Sequence, residues 1–231
     1  MDVKRGIFFG VGVGPGDPEL LTLKALKTLE RCPVIAAPRM KSGETLALDI
    51  VRQAVPLEGK DLLLLDFTMS QDPTVLRASR LRAAEAIAAH LSAGRDVAMP
   101  NLGDVSIYAT FGYLMDILTG QGYEAAMVPG VPSFCAVAAR LGTSLTDVSS
   151  PLHILPGGSG SLEQQLALPG TKVLMKSGRQ LPRVAEVLRQ KGLTRHAAMV
   201  QDCGLPTERV CRDLNCLPEN PGYFSTIIVK E

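Results

Sequence analysis

The residues whose types and spacing could do chemistry fall in five short stretches. The densest is Gly10-Val11-Gly12-Val13-Gly14-Pro15-Gly16-Asp17-Pro18-Glu19, with glycine at every second position until an aspartate intervenes. Such glycines let a backbone turn tightly and approach a ligand or a neighbouring strand. A phosphate-cradling loop would end in Gly-Lys-Ser/Thr, and a dinucleotide fingerprint would place a third glycine where Asp17 stands. Asp17 and Glu19 instead put negative charge at the start of the following helix, where a phosphate would otherwise sit. The stretch is built like a cofactor loop but is hostile to phosphate. On these residues alone, a glycine-rich turn with no ligand explains it equally well.

The second stretch is Pro100-Asn101-Leu102-Gly103-Asp104-Val105-Ser106-Ile107-Tyr108. Gly103 permits an unusual backbone angle, and Asp104 offers an acceptor suited to an amine, a ribose hydroxyl or a sulfonium. Asp104 or Ser106 also fits as the cap of a following helix. In the third stretch, Pro129-Gly130-Val131-Pro132-Ser133-Phe134-Cys135, a Pro-Gly turn leads to Ser133 as a helix cap. The fourth, Met175-Lys176-Ser177-Gly178-Arg179, sets two cations beside a methionine that read alone is a core residue. The fifth, Gln201-Asp202-Cys203-Gly204-Leu205-Pro206-Thr207-Glu208, reads alone as a loop into a hairpin.

Each stretch needs an element to hold it. The apolar run 7–13 is a strand, and a helix capped by Asp17 with Pro18 in its first turn follows, carrying Leu20, Leu23 and Leu26. Further strands are expected at 34–37 (ended by Pro38), 62–66 and 96–99, with helices at 45–54, from Asp72-Pro73 to about Gly94, and at 106–120. Near-continuous apolar strands between helices imply a parallel sheet covered on both faces. A second α/β domain with a mixed sheet is expected over 122–231, the first covering 1–121. Its strands are read at 124–128, 152–155, 172–175 and 197–201, with helices at 133–141 and 181–191. The strands at 208–214 and 223–229 lack an intervening helix, which makes that sheet mixed. Ligands of open α/β sheets bind beyond the carboxyl ends of strands, and all five stretches lie there.

The 231 residues, 46% apolar, suffice for one large or two small cores. A net charge of +1 leaves no bulk field to draw the chain to nucleic acid or an anionic membrane, and no apolar run approaches the roughly 20 residues of a membrane span. Run 7–13 lacks a small-residue cleavage site and reads as a strand rather than a signal peptide. The five cysteines (Cys32, Cys135, Cys203, Cys211, Cys216) are odd in number and form no C-x-x-C, so a reduced cytoplasmic setting is expected. His90, His153 and His196 are scattered, and no zinc-ligand pattern occurs.

Gly12 to Thr22 (Gly-Val-Gly-Pro-Gly-Asp-Pro-Glu-Leu-Leu-Thr) resembles the opening motif of the tetrapyrrole methylases, and the other four stretches follow in the family's order. The resemblance implies two α/β domains with S-adenosylmethionine (SAM) in the cleft between them. SAM, a sulfonium without phosphate, suits the acidic loop. Carried over residue by residue, the implied cofactor contacts are Pro15, Leu102, Gly103, Asp104, Ile107, Pro132, Ser133, Met175 and Gly204. Val105 stands where the family usually has proline. The stretch 129–145, with its Gly-Thr-Ser-Leu, is most similar to the branch that methylates C20 of precorrin-2 or its cobalt complex. Uroporphyrinogen III C-methylation is the alternative branch, and an NAD(P)-dependent or non-catalytic nucleotide-binding protein the alternative class. The resemblance further implies a homodimer, a tetrapyrrole partner and no protein-bound metal, any cobalt arriving inside the substrate. Arg39, Lys41, Lys176 and Arg179 are candidate ligands for its carboxylates. Asp104, Tyr108 and Tyr123 are left open as proton acceptors, so no catalytic residue is assigned.

Overall fold

The computed structural model describes residues 4–39, 43, 45–68, 70, 72–157, 161–214, 222 and 224–230, and at Arg179 the backbone only. Two compact units make up the chain, Met1–Pro132 and Ser133–Glu231.

The first unit runs β1 (Ile7–Gly12), α1 (Leu23–Arg31), β2 (Val34–Arg39), α2 (Leu46–Ala54), β3 (Asp61–Asp66), α3 (Pro73–Ser92), β4 (Val97–Asn101), α4 (Phe111–Gly120) and β5 (Glu124–Val128). The strands form one sheet in the order β3-β2-β4-β1-β5, and every pairing is parallel. Alternation along β1 shows why both faces must be covered. Phe8 packs with Ala84, Ile87 and Leu91 of α3 and with Phe111, Leu114 and Leu118 of α4. Phe9 and Val11 pack with Ala25 and Leu29 of α1 and with Leu48 and Val51 of α2. A Cβ on Gly10 would lie 2.6 Å from the Phe111 ring, so this glycine makes room for the ring that stacks on Phe8 with centroids 4.8 Å apart.

Several expectations shift. Asp17 caps only a single 3-10 turn at Pro18–Leu20, and α1 begins at Leu23 behind a second cap, the Thr22 hydroxyl accepting from Ala25 N–H at 3.1 Å. β2 continues through Pro38 to Arg39; it pairs with β4 only at Val34 and Ile35, so the imino residue interrupts no ladder there. Helix α4 starts at Phe111, not at 106, because Ser106 is drawn into a tight turn around Asp104. β5 pairs with β1 along its length, so it closes the first sheet. The joint therefore lies at 132/133, and the expected boundary at 121/122 would cut a strand from its own sheet.

The second unit runs α5 (Ser133–Leu141), β6 (Leu152–Pro156), α6 (Leu162–Gln165), β7 (Thr171–Met175), α7 (Leu181–Gln190), β8 (Ala197–Gln201), β9 (Arg209–Cys211) and β10 (Ser225–Val229). Its sheet, β6-β7-β10-β8-β9, is mixed as expected: β6 and β7 are parallel, and β10 runs antiparallel to both β7 and β8. Leu174, Met199, Ile227 and Val229 meet Leu181, Val184 and Leu188 of α7 in its core. The strand expected at 208–214 shortens to Arg209–Cys211. No helix among the described residues is long and apolar enough to cross a membrane.

Candidate active site

In a fully parallel sheet all carboxyl ends emerge on one edge. Adjacency of β4, β1 and β5 there brings the first three sequence stretches together. Gly14 and Gly103 form an isolated bridge, Gly103 N–H donating to Gly14 C=O at 2.7 Å and Gly14 N–H to Gly103 C=O at 3.2 Å. Behind the bridge, a Cβ on Gly12 would lie 2.5 Å from the Gly130 nitrogen, and one on Gly130 would lie 2.4 Å from the Gly103 carbonyl oxygen. These are backbone atoms that cannot turn aside. Glycine is therefore required at 12 and 130 by close approach, and at 14 and 103 by φ of +77° and +76°.

Asp104 fastens this frame. One carboxylate oxygen accepts from the N–H and the hydroxyl of Ser106, and the other accepts from Gly130 N–H at 2.8 Å. The residue is only 9% exposed. Burial alone would raise its pKa, but the Ser106 hydroxyl and the N–H groups of Ser106 and Gly130 outweigh burial and hold it below the usual carboxylate range. Asp104 is thus a fixed anion that ties the β4 loop to the β5 loop rather than a helix cap. Pro15 is buried beside this frame, while Leu102, Ile107 and Pro132 are half-buried.

In the second unit β6, β7 and β8 run parallel to one another, so their carboxyl ends share an edge. Met175 ends β7, and its carbonyl accepts from Gly157 N–H at 2.7 Å. Gly204 follows β8 with φ +80°, and its N–H donates to Glu208 at 2.9 Å. Glu208 also pairs with Arg140 of α5. Partial burial would raise the Glu208 pKa, but Gly204 N–H and the Arg140 guanidinium hold it low. Burial, followed by the Glu208 charge, pushes the adjoining Cys203 thiol up to about 11, so it stays neutral. Of the implied contacts, Met175 and Gly204 thus share this edge, and Ser133 opens α5 in the same unit.

Sequence reasoning missed what supports these loops. Among the described residues, three non-glycines have positive φ: Tyr108 (51°), Lys176 (56°) and Asp202 (51°). They lie one each after β4, β7 and β8, in three of the five stretches. Left-handed backbone at such residues is costly and concentrates at functional sites. Tyrosine and lysine carry no sequence signal for it. The Glu208–Arg140 support was equally invisible, since its partners are 68 residues apart. Tyr123 precedes β5 and therefore sits at the opposite sheet edge, its hydroxyl 2.6 Å from that of Ser92. Tyr123 is thus removed from the candidate proton acceptors, while Asp104 and Tyr108 follow the carboxyl end of β4. Lys41, the Arg179 side chain, the glycine-rich stretch beyond Gly157, Cys216 and Tyr223 lie outside the described residues. Among the described residues, Cys32, Cys135, Cys203 and Cys211 form no disulfide. Among the described residues no group of three or more His, Cys, Asp or Glu could hold a metal ion.

Comparison with known proteins agrees with this layout. The family model described as Tetrapyrrole (Corrin/Porphyrin) Methylases matches residues 8–214. A cobalt-precorrin-2 C(20)-methyltransferase of Salmonella typhimurium is 32% identical over 98% of this chain and 97% of its own. A precorrin-2 C(20)-methyltransferase of Sinorhizobium is 30% identical over 97% and 95%. Among solved structures, a uroporphyrin-III C-methyl transferase from Thermus thermophilus complexed with S-adenyl homocysteine superposes with a TM-score of 0.70. It covers 98% of this chain and 92% of its own at 23% identity, so it speaks for the fold.

Proposed function

This chain belongs to the tetrapyrrole (corrin/porphyrin) methylases, and on that footing we propose that it is a SAM-dependent C-methyltransferase of cobalamin biosynthesis, acting at C20 of precorrin-2 or cobalt-precorrin-2. The observation that carries the reading is the locked frame of Gly14, Gly103, Gly130 and Asp104 at the carboxyl edge of β4, β1 and β5. The two C20 methyltransferases, each matched along nearly the whole of both chains, support the branch.

The residues fit SAM. The frame presents glycine backbone with no Cβ, as close approach of a ligand needs, and a fixed ionised carboxylate. Its acidic helix entry, Asp17 and Glu19, suits a sulfonium and repels phosphate. By the resemblance, the residues that would hold it are Pro15, Leu102, Gly103, Asp104, Ile107, Pro132, Ser133, Met175 and Gly204. Bound SAM supplies a methyl already activated by its sulfonium. The chain then has to position: a fixed frame holds donor and acceptor in line, and alignment of this kind can supply much of the barrier reduction. At C20 a hydrogen is replaced by methyl, so a proton leaves; its acceptor is not assigned, because both Asp104 oxygens already accept hydrogen bonds and burial raises the Tyr108 phenol and keeps it protonated. The odd cysteine count without C-x-x-C supports a reducing, cytoplasmic setting, and the resemblance supports a homodimer, which light scattering would test.

Thermal shift separates this reading from its rivals. A ligand of the folded state alone raises the melting temperature. SAM and S-adenosylhomocysteine should each raise it while NAD(P) leaves it unchanged. Stabilisation by NAD(P) without SAM would overturn the reading.

A further inference from the structure

The carboxyl edge of the first sheet carries a second feature, away from the glycine frame. Arg39 and Asp66 end the neighbouring strands β2 and β3 and are partners in register. Arg39 Nε donates to Asp66 Oδ1 and Nη2 to Oδ2, each at 2.8 Å. The pair is side-on and bidentate, with side chains 41% and 69% exposed. Exposed ion pairs contribute little to stability, so the fold does not need this one.

The charges around it give it a use. The segments leaving this edge are 13–22, 39–45, 66–72, 102–110 and 129–132. Among their described residues, the acidic groups are Asp17, Glu19, Asp66, Asp72 and Asp104, and Arg39 is the one Lys or Arg. Among these described residues, Arg39 is the point that attracts a carboxylate where the others repel it. Bonding to Asp66 uses the Nε/Nη2 edge of the guanidinium. The Nη1/Nη2 edge, the second fork that matches a carboxylate, remains unengaged among the described residues. β2 stands two strands from β1 in the sheet, about 10 Å at ordinary strand spacing. That is the reach of a flat macrocycle whose reacting carbon lies at the glycine frame and whose acidic side chains extend past its rim.

We infer that Arg39, oriented by Asp66, docks a peripheral carboxylate of the tetrapyrrole substrate and so sets which edge of the macrocycle faces the methyl donor. This rests on the tetrapyrrole reading above. Asp66 is a positioning residue: it restrains the fork without touching substrate. Lysine, a point charge without a fork, should not replace Arg39.

Two measurements test it. The first is binding of uroporphyrin III, a polycarboxylate probe, followed by absorbance and needing no turnover. Wild type should bind it, Arg39→Ala and Arg39→Lys about tenfold or more weakly, and Asp66→Asn several-fold weakly, with Asp66→Glu restoring part of the loss. S-adenosylhomocysteine affinity and melting temperature should stay near wild type in all four, which a merely structural role would not allow. The second is the kinetic split, with a raised tetrapyrrole KM at nearly unchanged kcat. Should Arg39→Ala fold poorly, Asp66→Asn and Asp66→Glu carry the test. Equal probe binding by wild type and Arg39→Ala, or no binding by wild type, overturns the inference. Wild-type methylation of precorrin-2 with an unchanged KM in Arg39→Ala overturns it while leaving the proposed activity standing.

Discussion

Asp104 Oδ2 accepts the backbone N–H of Gly130 at 2.8 Å, a bond between loops 26 residues apart in the chain. It joins the ends of β4 and β5 across the intervening β1, whose own loop is bridged to Gly103. Three loops are thereby held as one surface before any ligand arrives.

Asp104→Asn tests the charge in that bond at nearly constant shape. Hydrogen bonds to an ionised partner are worth about 1.5–3 kcal/mol. The variant should lose at least about tenfold in S-adenosylhomocysteine affinity by calorimetry and melt a few degrees lower. Unchanged affinity would show that the loops hold without Asp104.

The close approach of glycines gives opposite signs at two sites. Gly130→Ala would drive a Cβ to 2.4 Å from the Gly103 carbonyl oxygen, with no side chain able to yield. Forced overpacking costs about 1–3 kcal/mol, or roughly 2–4 °C per kcal/mol for a chain of this size. Gly112, inside α4, has nothing within 4 Å of a built Cβ. Gly112→Ala should therefore gain about 0.5–1 kcal/mol from helix propensity. A destabilised Gly112→Ala beside a neutral Gly130→Ala in thermal melts would contradict the packing account.

In the second unit, Glu208→Gln should weaken nucleoside binding without abolishing the fold. The carboxylate that accepts Gly204 N–H and pairs with Arg140 sets the turn after β8. Loss of its charge should lower S-adenosylhomocysteine affinity by roughly threefold to tenfold. Affinity equal to wild type would separate Gly204 from the ligand.

Acid stability has a defined sign. Asp147 accepts from the hydroxyl and N–H of Ser149 and from Ser150 N–H, which hold its pKa down at about 2. An unfolded aspartate titrates near ~3.9. Between these values the unfolded chain binds more protons, so the contribution is complete above pH ~4 and lost as pH falls toward 2. Asp104 and Glu208 are depressed too and act in the same direction. Urea midpoints from pH 6 to pH 2 should show wild type exceeding Asp147→Asn at the top of the range, the gap closing as pH falls. Parallel curves would remove Asp147 from the acid limb.

Much of this was legible in the chain. A continuous apolar run made β1 readable, and the Gly-Asp, Pro-Gly and Met-Lys stretches all fell at carboxyl ends of strands, as read. What was not legible depended on distant partners. Nothing near residue 121 shows that β5 pairs with β1. Asp104 followed by Ser106 reads as a helix cap, and only the approach of Gly130 turns it into a strut. The Asp17-Pro18 signal is real but spent on one 3-10 turn, because Thr22 offers a second cap to the longer apolar face of α1. The left-handed backbone at Tyr108 and Lys176 contradicts local preference and could be seen only in the fold.

The central claim is tested most directly by methyl transfer itself. Purified protein would be given methyl-labelled SAM and enzymatically prepared precorrin-2, once with cobalt inserted and once without, and the product read by mass spectrometry and NMR. The account predicts one labelled methyl, at C20, on at least one of the two substrates. A label at another carbon, or on uroporphyrinogen III alone, would contradict the C20 assignment. Tight SAM binding with no label on any tetrapyrrole would contradict the proposed activity altogether.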